Sequence, residues 1–307
     1  ALGCQRGAHH GLLGLARAVA EHQKRIYGLE YDPESEVTVF SGATEALFST
    51  IQALCEPGDE VVLFDPAYDA YRPSIALAGA VARTVPLLPP AFRLEAAALS
   101  AALGRRTRLL VLNSPHNPLG KVFSREELET IASACRERDL LAVTDEVYEH
   151  LVFEGEHVPL ASLPGMRERT LTLSSAGKTY SFTGWKIGWG TGPREMVAGA
   201  QAAHQFLTYA IATPLQRAVA YALTHHTTDY LAGFRAEYAA RRDFLVSVLR
   251  EVGFRLTPPQ GTYFILADFR QLFDGDDRAF AYWLTREHGV AALPPSSFYH
   301  SDREEPR

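Results

Sequence analysis

The chain has 307 residues, 47% of them hydrophobic and 21% charged, with a formal net charge of -6 and a pI near 6.0. That length can bury a large core and suits one big domain with a smaller one. The acidic balance argues against a nucleic-acid-binding face, no apolar run is long enough to span a membrane, and small molecules are the expected partners.

From residue 37 to about 190, short β-rich runs alternate with helical stretches, the pattern of an α/β domain on a mainly parallel sheet. Seven strands are expected, at 37–40, 61–64, 82–85, 109–112, 141–144, 170–173 and 187–190, with helices between most of them, for example at 44–54, 125–137 and 194–203. Ser124 with Glu127 three residues on forms a capping box for the second of these helices. A long amphipathic helix follows over 227–252, and Gly253 ends it. The remainder, through 261–266 and 279–294, reads as strand, helix and strand of a small α+β domain, with the division placed at 222/223.

Cys4, Cys55 and Cys135 are far apart and in no CxxC pattern, which suggests neither disulfides nor zinc and fits a reducing cytoplasm. His9-His10 and His225-His226 lack a third ligand nearby, so no metal is assigned. Among the 30 Lys and Arg residues, lysine occurs only at Lys24, Lys121, Lys178 and Lys186. Arginine keeps its proton, whereas a lysine amine made neutral by its surroundings attacks carbonyls. Lys24 and Lys121 read as leftover surface lysines; Lys178 and Lys186 invite a chemical role.

In open α/β sheets, ligands bind beyond the carboxyl ends of the strands. The first strand runs into the small-residue turn Ser41-Gly42-Ala43-Thr44, whose backbone N–H groups at a helix start suit a phosphate, although many such turns bind nothing. Past the second strand, Tyr68 offers a stacking face or simple packing. The fourth strand leads into a loop stiffened by Pro115 and Pro118 that holds Asn117, which serves a cleft or an Asx turn. The fifth delivers Asp145, a carboxylate that is costly to bury without a cationic partner. The sixth leads into Ser174-Ser175-Ala176-Gly177-Lys178, a Ser-x-x-Lys spacing shared with penicillin-binding enzymes, whose Ser-Asp-Asn and Lys-Thr-Gly partners are absent here.

Taken together, SGATEAL, FDPAYDAY, NSPHNPLGKVFS, TDEVYEHLVF, SSAGKTYSFTGWKIGW and GTYF resemble the fold-type I pyridoxal-phosphate (PLP) aminotransferases, in the branch that includes the methionine, kynurenine and glutamine enzymes. The resemblance covers most of the chain. It implies a large PLP-binding domain over 1–222, a small domain over 223–307, and transfer of an amino group from an aromatic, methionine-like or glutamine-like L-amino acid to a 2-oxo acid by a ping-pong route. It also implies that Lys178 holds the cofactor as a Schiff base and moves the proton, that Asp145 pairs with the pyridine nitrogen, and that Asn117 and Tyr148 bond the phenolic oxygen. By the same likeness, Tyr68 stacks on the ring, while Gly42, Ala43, Thr44, Ser175 and Lys186 bind the phosphate. A homodimer is expected on the same ground.

The family pattern also places a carboxylate-clamping arginine later than Arg307, and a tyrosine ahead of the glycine matching Gly11, where this sequence has Arg6-Gly7-Ala8-His9-His10. The expectation from both is a chain incomplete at its ends. Two other outcomes remain open at this point: a PLP-dependent C-S β-lyase, which shares the first chemical steps, and a non-catalytic PLP-binding regulatory module.

Overall fold

The computed structural model describes residues 11–299. The expectations attached to Cys4, to residues 6–10 and to Arg307 lie outside them. Helix α1 (Leu13–Tyr27) leads into β1 (Val37–Phe40), α2 (Gly42–Leu54), β2 (Glu60–Asp65), α3 (Tyr71–Leu77), β3 (Val81–Pro86), α4 (Ala96–Ala102) and β4 (Thr107–Asn113). Next come α5 (Arg125–Glu137), β5 (Leu141–Asp145), β6 (Thr170–Ser175), the single turn α6 (Ala176–Thr179), β7 (Gly188–Thr191) and α7 (Arg194–Leu207). Helices α8 (Thr213–His225), α9 (Thr228–Val252) and α10 (Asp277–His288) follow.

The strands form one seven-stranded sheet in the order β1-β7-β6-β5-β4-β2-β3. Only β7 runs against its neighbours; β2, β3, β4, β5 and β6 pair in parallel. Such a sheet is buried on both faces, which is why its strands read as near-continuous apolar runs. On one face Val61, Leu63, Val111 and Val143 meet Leu47 and Ile51 of α2 and Val197 and Ala200 of α7. On the other, Val62, Phe64, Leu110 and Ala142 meet Leu128, Ile131 and Cys135 of α5. Alongside, α1 and α8 cover Val37, Val39 and Trp189. The mainly parallel sheet sandwiched by helices is as expected. The capping box is formed too: Glu127 N donates to Ser124 Oγ at 3.2 Å and Ser124 N to the Glu127 carboxylate at 2.9 Å.

Two expected strands and one side chain turn out otherwise. The 261–266 run forms no strand among the described residues, only an isolated bridge between Gly261 and Val152, with another between Arg255 and Asp268. Thr262 sits at a φ of 64°, which breaks an extended run, and no strand among the described residues pairs with it in a ladder. The stretch after α10 is likewise not a strand, so of the small α+β unit the described residues hold the helix alone. The 222/223 division falls inside α8, which packs against α1. Finally, Lys121 is no surface leftover: its side chain is buried and its ammonium donates to both Glu127 oxygens at 2.8 Å. Lys24 is exposed, paired with Glu30.

Candidate active site

Parallel strands all point their carboxyl ends to one edge of the sheet, and the antiparallel β7 brings its amino end there. Asn113 and Asp145 sit side by side in register at the ends of β4 and β5, and Ser175 of β6 faces Gly188 of β7. The residues expected at 42–44, 68, 117, 145, 148, 175, 178 and 186 therefore lie on or next to elements that end or begin along this edge.

Asp145 is its anchor. The carboxylate is buried; Tyr71 donates its hydroxyl to Oδ2 at 2.8 Å and the Val147 N–H reaches Oδ1 at 3.4 Å. Burial pushes Asp145 up to about 6, against those two hydrogen bonds and the Lys178 charge, which pull it down. The aromatic edge of Tyr68 meets Tyr71, with ring centroids 5.5 Å apart, so Tyr68 and Asp145 are joined through one intervening phenol.

The loop after β4 is tied to the same carboxylate-bearing residue. Asn113 donates its amide to the Asp145 carbonyl at 2.8 Å and accepts from the Asn117 N–H at 2.6 Å. The Asn117 side-chain oxygen is buried and has no hydrogen-bond partner. Leaving a polar atom so is costly, and it marks a position where a ligand atom completes the bonding.

Lys178 stands on α6, directly after β6, and donates to the Tyr263 hydroxyl at 2.6 Å. Its ammonium lies 5.6 Å from the Tyr148 ring centre, and Tyr148 donates to the same Tyr263 oxygen at 3.2 Å. Burial raises Tyr148 well above the ordinary phenol range, so it remains a proton donor.

At the other end of the edge, α2 starts at Gly42 with no side chain capping its first N–H groups, which leaves those donors for an anion. Gly42 has a φ of 80°, a conformation that favours glycine. A Cβ on Gly188 would lie 2.6 Å from the Gly42 carbonyl carbon and 2.8 Å from the Ala43 nitrogen, so β7 must be bare where the helix start leans on it. Lys186, itself at a φ of 53°, runs its stem past Gly42, while Thr44 is exposed at the same turn.

These residues fit a flat, phosphorylated pyridine aldehyde: an uncapped helix start and a lysine for the phosphate, a buried carboxylate for a ring N–H, an unpartnered amide oxygen to accept from a ring hydroxyl, a phenol to donate to that hydroxyl's oxygen, and an amine for the aldehyde. Tyr71, Asn113 and Tyr263 were not among the expected site residues. Tyr71 and Tyr263 lie within the FDPAYDAY and GTYF motifs, which is the signal that pointed near them.

A second polar cluster lies beneath α1, where His22, Glu149 and His150 come together. Arg25 donates to His22 Nδ1 at 3.3 Å, which places the imidazole proton on Nε2, 3.1 Å from His150 Nε2. With one nitrogen donating to the other, the pair is a hydrogen bond, and Glu149 takes its own donors from Tyr27 and Ser174 at 2.7 and 2.6 Å.

Known proteins match this arrangement over almost the whole chain. The family model for aminotransferase class I and II covers residues 5–305. A probable N-succinyldiaminopimelate aminotransferase, DapC, of Mycobacterium tuberculosis is 49% identical over 292 residues, 94% of this chain and 73% of that protein. The methionine aminotransferase of Escherichia coli K12 is 42% identical over 289 residues, 94% and 75% of the two chains. The solved structure of the N-succinyldiaminopimelate aminotransferase from Mycobacterium tuberculosis superposes with a TM-score of 0.94 at 47% identity, covering 96% of this chain and 77% of that one. The chain belongs to the class I and II aminotransferases, and its activity is PLP-dependent transamination.

Proposed function

We propose that Lys178 is the residue that carries the cofactor and moves the proton at the substrate Cα, with Asp145 as the counter-charge to the ring nitrogen. The observation that carries this reading is the buried, doubly hydrogen-bonded Asp145 on β5, beside the strand that leads into the turn bearing Lys178. PLP, when bound, supplies the aldehyde that takes up amino groups and the ring that accepts electrons from the broken Cα bond. Asp145 gains the cation that a buried carboxylate lacks. Asn117 and Tyr148 orient the ring through its phenolic oxygen, Tyr68 packs on its face, and Gly42, Ala43, Thr44, Ser175 and Lys186 hold its phosphate at the start of α2. These fixed groups restrict how the substrate sits, which raises the rate by orientation.

The donor is an L-amino acid with an aromatic, methionine-like or glutamine-like side chain, and the acceptor a 2-oxo acid. In support, the surroundings of Lys178 are rich in rings: Tyr148, Tyr263, Phe264 and Tyr238 pack together, a surface suited to flat or thioether side chains. The names of the similar proteins add N-succinyldiaminopimelate to the donors worth testing. Phe206, Leu207 and Tyr209 are 87%, 50% and 52% exposed on and just after α7, an apolar patch that supports a homodimer. No described helix is long and apolar enough to cross a membrane, and with the unpatterned cysteines this favours a cytoplasmic enzyme. The break between large and small domains is proposed just past α8.

An amino-donor panel, run with a 2-oxo acid acceptor and with Lys178→Ala as control, tests the reading. Donor-dependent formation of the new amino acid, abolished in the variant, is the expected outcome. Pyruvate and thiol released without any acceptor would instead mark β-elimination.

A further inference from the structure

Of the motifs that mark the family likeness, GTYF has so far supplied only rings to the surroundings of Lys178. Its tyrosine, Tyr263, comes from the segment after α9, yet its hydroxyl is 2.6 Å from the Lys178 ammonium nitrogen. The segment is firmly tied to the large sheet domain. Gly261 N donates to the Gly120 carbonyl at 2.9 Å, Thr262 N to the Leu151 carbonyl at 2.8 Å, and Phe153 N to the Gln260 carbonyl at 2.7 Å. Thr262 is fully buried, and a Cβ on Gly261 would stand 2.7 Å from the Leu151 carbonyl oxygen. Tyr263 thus has little freedom in where its ring can lie. The Tyr148 ring meets it edge to face, with centroids 5.2 Å apart, and the Tyr148 hydroxyl donates to its oxygen at 3.2 Å.

We propose that Tyr263 is a positioning residue for Lys178, a phenol that accepts from the ε-ammonium and donates to the neutral amine while Tyr148 holds its oxygen in place. A phenolic oxygen has two acceptor sites and one proton. In the charged state both acceptor sites are used, by Lys178 and by Tyr148. When the lysine gives up its proton, the Tyr263 O–H turns to the nitrogen lone pair and the Tyr148 bond stays. One side chain therefore serves both states that a lysine passes through as a nucleophile and proton carrier.

The inference rests on the role of Lys178 proposed above, and its test reads the amine directly. Wild type and Tyr263→Phe, freed of cofactor, are acetylated with trace acetic anhydride across a pH series, and the four lysines are followed by mass spectrometry. Phenylalanine keeps the ring, which lies 5.2 Å from the Lys178 nitrogen, so only the hydroxyl is removed. The neutral amine no longer has its lone pair held by a phenolic proton, so Lys178 is acetylated about 2- to 10-fold faster relative to Lys24 and Lys186. An unchanged relative rate at Lys178 overturns the proposal. Should Tyr263→Phe not fold, Tyr148→Phe decides on the same lysine: a smaller rise in relative rate supports the proposal and none overturns it. The visible absorbance of the reconstituted proteins separates the two readings. If wild type binds PLP without an absorbance band from a lysine adduct, the role of Lys178 fails; an intact band with an unchanged relative rate removes only the role of Tyr263.

Discussion

The Tyr71 hydroxyl donates to Asp145 Oδ2 at 2.8 Å in the interior of the protein, joining the start of α3 to the end of β5. This bond favours the ionised carboxylate, the form that a protonated pyridine nitrogen needs opposite it. Tyr71→Phe leaves the packing in place and removes the donor. Affinity for PLP, measured by fluorescence titration of the cofactor-free protein, is expected to fall about 5- to 30-fold, the effect of about 1 to 2 kcal/mol for a hydrogen bond to a charged group.

Asp145 itself gives a pH signature. Its folded value is raised from 3.8 to about 6 by burial. Between those values the unfolded chain has lost the proton and the folded one still holds it, so stability of the cofactor-free protein falls as pH rises from near 4 to near 6. The full penalty stands above pH 6. Asp145→Asn removes it, and denaturant unfolding at pH 7.5 should show the cofactor-free variant more stable by up to about 3 kcal/mol, while the same variant loses transamination.

Gly188→Ala tests the helix start. Its Cβ would press on Gly42 and Ala43 at 2.6 to 2.8 Å, and contact with backbone cannot be relieved by a rotamer change. Stability is expected to fall by about 1 to 3 kcal/mol. Binding of PLP should weaken more than binding of pyridoxal, which lacks the phosphate. Equal losses for both ligands would mean that the turn at residues 42–44 does not hold the phosphate.

How far the sequence foretells this site depends on how local each cause is. Most of the seven strands were readable because they are short apolar runs, buried on both faces and bounded by turn residues; β1 matched at both ends, between Glu36 and Ser41, while the edge strand β3 is mostly exposed or half-buried. The capping box of α5 was readable because Ser124 and Glu127 are three residues apart. Asp145 and Lys178 stood out as costly or reactive groups at strand ends. Tyr71 and Tyr263 did not, since their partners lie 74 and 85 residues away and nothing in the local pattern marks the meeting. Lys121 looked like a surface residue for a related reason: its burial comes from the fold of the loop over α5. The run at 261–266 has a strand's composition, but a strand needs a neighbour to pair with, and the backbone turns at Thr262.

Borohydride reduction of the PLP-loaded protein, followed by peptide mapping, is the most direct test of the site. The chain offers four lysines, Lys24, Lys121, Lys178 and Lys186, so the result is unambiguous. The account predicts a single pyridoxyl group on Lys178. A pyridoxyl group on Lys186, whose stem passes Gly42 on the same edge, or no covalent label at all, would contradict it.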